Sequence, residues 1–125
     1  MSWIKIEHGL CKSRKIAKLS TAMGWSRHQS IGFMVDFWIW AAQSCDDGQL
    51  AGITDGEIAF AGGLDRAEGI LEALIASGFV DREPLRIHQW AEHQAEFLRS
   101  KYRRNPGQHQ KIQDMYRAST GTVAE

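Results

Sequence analysis

The chain has little of what marks secreted, membrane-spanning or metal-dependent proteins. Its 125 residues hold only two cysteines and two prolines. Cys11 and Cys45 stand far apart and neither has a Cys-x-x-Cys partner, which excludes a disulfide framework and the usual zinc spacings. The longest apolar run, Ile31 to Ala42, is interrupted by Asp36 and falls short of the ~18 residues a membrane helix needs. The opening Met-Ser-Trp-Ile-Lys-Ile-Glu lacks the long uncharged stretch of a secretion signal, so the expected location is the cytoplasm. Net charge is absent too: fifteen basic residues face fifteen acidic ones.

Signatures of catalysis are equally scarce. There is no Gly-x-Ser-x-Gly and no Walker-type loop, and Gly62-Gly63 reads as a turn rather than a phosphate cradle. His88 and His93 are five apart across an expected strand-to-helix junction, which is not the i, i+4 spacing of a helical zinc pair. The expectation is a non-enzymatic protein with no metal and no cofactor.

What is present is an ordinary apolar fraction, 43%, enough for one core, and a sharp separation of charge along the chain. Residues 1–30 hold six bases against Glu7, residues 31–83 hold ten acids against Arg66 and Arg82, and residues 84–125 hold seven bases against four acids. Basic ends flank an acidic middle, and basic patches are the electrostatic footprint of a nucleic-acid binder.

The pattern predicts mainly α structure with a small β-hairpin wing, the layout of a winged helix-turn-helix. Trp3 to Ile6 alternates weakly, as an edge strand does. Cys11 to Met23 reads as an amphipathic helix with a basic stripe, Arg14, Lys15 and Lys18, stopped by Gly24. Ser26 and Gln29 form a capping box for a second helix that runs to about Cys45 and is apolar nearly all round. Its Trp38 and Trp40 point to roughly opposite sides, so either both are core or one face packs on another subunit. Asp36 needs a partner in both cases.

Asp47-Gly48-Gln49-Leu50 then reads as a strand, Thr54 with Glu57 as a second capping box, and Asp65 with Glu68 as a third. The helix after Asp65 buries Ala67, Ile70, Leu71, Leu74 and Ile75 and offers Arg66, Glu68, Glu72, Ala73 and Ser77 on the outer face where a recognition helix carries its base-reading residues. Arg66 alone suits that task, because the carboxylates repel phosphate. Phe79-Val80 and Leu85 to His88 alternate about Glu83-Pro84, a hairpin with Arg82 and Arg86 at its tip and solvent face. Trp90 to Arg104 reads as a final helix, with Trp90, Phe97 and Leu98 inward. Arg99, Lys101, Arg103 and Arg104 at its end are placed to track a phosphate backbone and Tyr102 to stack on an unpaired base.

Trp3-Ile4-Lys5, the Trp-rich central helix, Asp47-Gly48-Gln49-Leu50, Gly78-Phe79-Val80 and Ile87-His88-Gln89-Trp90 with Glu92-His93-Gln94 together carry a resemblance. In order and spacing they resemble the N-terminal winged-helix domain of phage replisome organisers and related DnaD-like primosomal proteins, over roughly Trp3 to Arg104. The resemblance implies a replication-initiation protein of a phage or prophage that binds duplex or single-stranded DNA, self-associates and contacts another replication protein. It puts recognition-helix and wing roles on Arg66, Arg82 and Arg86.

Asn105-Pro106-Gly107 is the one clear breaker. The expected organisation is a winged-helix domain over 1–104 and a polar tail over 105–125, partly disordered or folding on a partner. Two other readings fit the same layout: a protein-interaction or oligomerisation module, which needs Trp38 or Trp40 exposed, and a small transcriptional regulator.

Overall fold

A computed structural model describes residues 3–124, with side chains placed through residue 118. Those residues form seven α-helices and one two-stranded antiparallel sheet. Two compact units divide them, one spanning Ile6–His88 and one joining the N-terminal residues through Lys5 to everything from Gln89 onward.

The Ile6–His88 unit opens with a 3-10 turn, His8–Lys12, followed by α1, Arg14–Met23. The expected helix from Cys11 is thus split at Ser13, whose hydroxyl accepts from Ile16 N and starts α1 afresh. Gly24, in the left-handed region at φ 69°, ends it. Helix α2, Arg27–Ser44, begins at the capping box read from sequence: Ser26 and Gln29 exchange side-chain to backbone hydrogen bonds. It is not covered all round. Phe33, Met34, Phe37, Ala41 and Ala42 are buried, whereas Gly32, Asp36, Ile39 and Gln43 form an exposed stripe, so the Asp36 carboxylate is solvated rather than paired inside. Where α1 crosses α2, buried Ser30 shares a 2.7 Å hydrogen bond with Ser20.

Helix α3, Asp55–Ala61, starts at the Thr54/Glu57 capping box and ends at Gly62-Gly63. Its end is a Schellman turn: Gly63 N donates to Phe60 O, Leu64 N to Ala59 O, and Gly63 has φ 80°. Helix α4, Ile70–Ser77, starts later than the Asp65/Glu68 motif suggests. Its N-cap is Gly69 and no local side chain caps it; the Asp55 carboxylate does so from α3, accepting from Gly69 N and Leu71 N, each at 3.0 Å. Ala67, Ile70 and Leu74 are buried as expected, joined by Ala73 and Ser77, while Leu71 and Ile75 are half-buried. α1 packs on α2 and α4, and α3 packs on the same two helices. Ile16, Leu19, Met34, Phe37, Ile58, Ile70 and Leu74 are almost wholly withdrawn from water, each contributing about 1.5–3 kcal/mol by transfer.

Strands β1, Val80–Asp81, and β2, Arg86–Ile87, pair in register Val80 to Ile87. Gln49 bridges Arg86 on the other side of β2, with Leu50 N donating to Leu85 O and Ile87 N to Gly48 O.

In the second unit the final helix is broken. Helix α5, Trp90–His93, and α6, Ala95–Lys101, are separated by Gln94. The buried Gln94 carboxamide pairs with the backbone of Lys5, accepting from its N–H and donating to its C=O, both at 2.8 Å. Residues 3–7 form no strand, and among the described residues that carboxamide is what pairs with the Lys5 backbone. The segment read as a polar tail is helix α7, Pro106–Ala124, with Asn105 accepting from Gln108 N and Ile112 and Tyr116 buried. By contacts the residues group as Ile6–His88 and as those through Lys5 with those from Gln89 onward. Glu125 lies outside the described residues.

Candidate nucleic-acid interface

The basic residues expected to meet phosphate fall into two kinds, those with an acidic partner and those without. Arg14 and Lys18, four apart on α1, are exposed, as are Lys12 before it and Arg27 at the start of α2. Among the described residues none of these four makes an ion pair. Lys15 leaves the stripe. It is half-buried with its ammonium 5.6 Å from the centre of the Phe79 ring, and its stem lies against Gly78. Burial lowers its pKa, and the nearby Asp81 carboxylate offsets part of that.

The arginines before α4 and on the hairpin depart furthest from expectation. Arg66 precedes α4 in the connecting loop instead of lying on it, and pairs with Glu68. Arg82 is exposed but held by both oxygens of Glu72 on α4, whose hydrogen bond and charge raise its pKa. Arg86, expected on the solvent face, is only 6% exposed; its Nε lies 3.3 Å from Asp81 Oδ2. A two-residue strand leaves little for alternation to fix, and the Asp81 carboxylate together with the Gln49 bridge sets the inward face. Asp81 also receives His88 Nδ1 at 2.8 Å. The outward residues of α4 are Glu72 and Ala76, so this helix presents no base-reading side chain.

In the other unit Arg99, Arg103 and Arg104 are exposed without an ion pair among the described residues, and so is Lys111 on α7. Lys101 lies 5.8 Å from the centre of the Phe97 ring, and Tyr102, half-buried, closes α6 through its amide to Leu98 O. Helix α6 ends at Lys101, so Arg103 and Arg104 sit between two helix ends. Sequence reasoning passed over Lys12, Arg27 and Lys111 as site residues, although the scarcity of acids in residues 1–30 was signal enough for the first two.

Trp38 and Trp40 are both half-buried, Trp38 edge-on to Phe79 at 5.9 Å and Trp40 stacked on Phe37 at 5.9 Å. Neither is fully exposed. The exposed apolar side chains of this unit lie elsewhere, at Ile6, Ile39, Phe60 and Leu64. Among the described residues no three His, Cys, Asp or Glu side chains converge as metal ligands, and no helix is long and apolar enough to cross a membrane. The chain matches no protein-family model, no curated protein and no solved structure.

Proposed function

We propose that the chain is a non-enzymatic winged-helix module that binds DNA through phosphate contacts and serves replication initiation of the phage-organiser type. The observation that carries the reading is the pair of exposed basic sets without acidic partners, Lys12, Arg14, Lys18 and Arg27 in one unit and Arg99, Arg103, Arg104 and Lys111 in the other. Their placement supports it further. Arg14 stands in the first turn of α1, Arg103 and Arg104 just precede α7, and neither first turn holds an acid. Cations at that end oppose the helix dipole by about 0.3–1 kcal/mol each, a cost that a bound phosphate chain removes.

The winged-helix assignment is supported by the order of Gln49, α3, glycine turn, α4 and hairpin, with Gln49 bridged to β2. The acidic outer face of α4 disfavours base reading in the major groove, so binding is largely sequence-tolerant, to duplex or single strands. Self-association, a replication-protein partner and a cytoplasmic setting belong to the same reading. The interaction-module alternative is favoured by one observation, the exposure of Phe60 at 76%; the transcriptional-regulator alternative needs a base-reading helix that α4 does not offer.

Fluorescence anisotropy with labelled single-stranded and duplex DNA, repeated over a range of salt, tests the proposal. Log affinity should fall with log salt by about 0.7–0.9 for each phosphate neutralised. Replacing Arg99, Lys101, Arg103 and Arg104 by glutamate should abolish binding with the circular dichroism spectrum unchanged. Binding that survives those changes overturns the assignment of that cluster, and no binding at high micromolar protein leaves the interaction module as the reading.

A further inference from the structure

Phe60 is the most exposed large apolar side chain among the described residues, at 76%, and it lies in the acidic middle of the chain. It sits one residue before the end of α3. The Schellman turn that follows brings Leu64, 37% exposed, back to the same helix end through its amide to Ala59 O. Gly56, one turn before Phe60 on the same helix, has no side chain, and a Cβ there would meet only Thr54 Oγ1 at 3.9 Å. Two apolar side chains thus stand beside an open shelf.

Three carboxylates lie close by in the chain or at the turn. Glu57 is three residues before Phe60 on α3, Asp65 directly follows Leu64, and Asp36 of α2 reaches the turn, its Oδ2 lying 3.1 Å from where a Cβ on Gly63 would be. Asp36 and Asp65 are exposed and make no ion pair among the described residues. A phosphate chain or an anionic lipid surface is repelled by this rim. A segment that buries apolar residues and carries Lys or Arg beside them is attracted.

We propose that the α3 end, with Phe60 and Leu64 as anchors and Asp36, Glu57 and Asp65 as rim, docks a basic amphipathic helix of a partner protein. A helix with apolar residues at i, i+3 or i+4 straddles an aromatic anchor and sets its cations on both flanks. Large aromatic anchors ringed by polar groups are where interfaces concentrate their energy. A partner is favoured over a second copy because the chain's own basic ends are reserved for phosphate in the function proposed above, and to that extent this inference rests on it.

The experiment titrates the full chain with an 18-residue synthetic helix of leucine and lysine, leucines along one face, and with the same peptide carrying glutamate for every lysine. The lysine peptide should bind and the glutamate peptide should not. Phe60→Ser should weaken binding at least tenfold, Phe60→Leu should keep most of it, and Asp36→Asn with Asp65→Asn should weaken it and flatten its salt dependence. DNA titrations run in parallel keep the two proposals apart: Phe60→Ser should leave DNA affinity unchanged, and the arginine-to-glutamate variant should leave peptide affinity unchanged. Three results overturn the docking site: no binding of the lysine peptide, binding insensitive to Phe60→Ser, or an oligomer in light scattering that dissociates on Phe60→Ser and so makes a second copy the occupant.

Discussion

Asp55 opens α3 yet caps α4, its carboxylate holding Leu71 N at 3.0 Å and Gly69 N at the same distance. One side chain therefore ties α3 to the start of α4, as well as standing in the first turn of its own helix, where the dipole favours an acid. Asp55→Ala should cost about 1–2 kcal/mol, the range for a lost N-cap. Thermal unfolding measures it, and Asp65→Ala, which removes the sequence-predicted cap, should cost far less.

Two glycines six apart should answer substitution in opposite directions. Gly62 has an ordinary φ of −87°, but a Cβ there would fall inside the buried Phe33 ring. Gly62→Ala should destabilise by about 1–3 kcal/mol through overpacking, and less in a Phe33→Leu background, because the two changes share one volume. Gly56 has open space, so Gly56→Ala should stabilise by about 0.5–1 kcal/mol. Chemical denaturation of these variants beside the unmodified chain checks both signs.

These contacts mark what was legible in the sequence. Capping at Ser26 and Thr54 was readable because donor and acceptor lie three residues apart, and the apolar period placed Ile70 and Leu74 correctly. The start of α4 was not, since its cap comes from Asp55, more than a dozen residues earlier, and no local pattern carries that. Arg86 was misplaced for a similar reason: its face is fixed by Asp81 and Gln49, not by alternation within two residues. Charge segregation was visible along the chain, but which bases stay unpaired depends on Glu68 and Glu72 reaching Arg66 and Arg82.

Gln94 substitutes for a β-strand partner of Lys5, so its removal should free the N-terminal segment without melting the helices. Gln94→Ala leaves two backbone groups of Lys5 unpaired, a loss of about 1–3 kcal/mol. Hydrogen exchange should show the Lys5 amide exposed while amides of α1 and α2 keep their protection.

The pKa of the Cys45 thiol is raised to about 11 by burial and then by Asp47 and Asp46. Its folded pKa exceeds the unfolded value of ~8.5, so its contribution to stability is complete below that pH and is lost as pH rises through about 11. Alkylation of Cys45 in a Cys11→Ser chain should keep accelerating beyond pH 9; a rate that levels off near pH 9 would contradict the shift. Cys45→Ala should remove the corresponding alkaline loss of stability.

The Lys5–Gln94 pairing joins positions 89 apart in the chain, whereas Ile6–His88 is a compact unit of its own. Synthesis therefore imposes an order. All residues of the inner unit are made once His88 has left the ribosome, and it can begin to fold while translation continues. The segment at Lys5 must wait for a carboxamide made 89 positions later, and the long loop it then closes is the slow kind of contact.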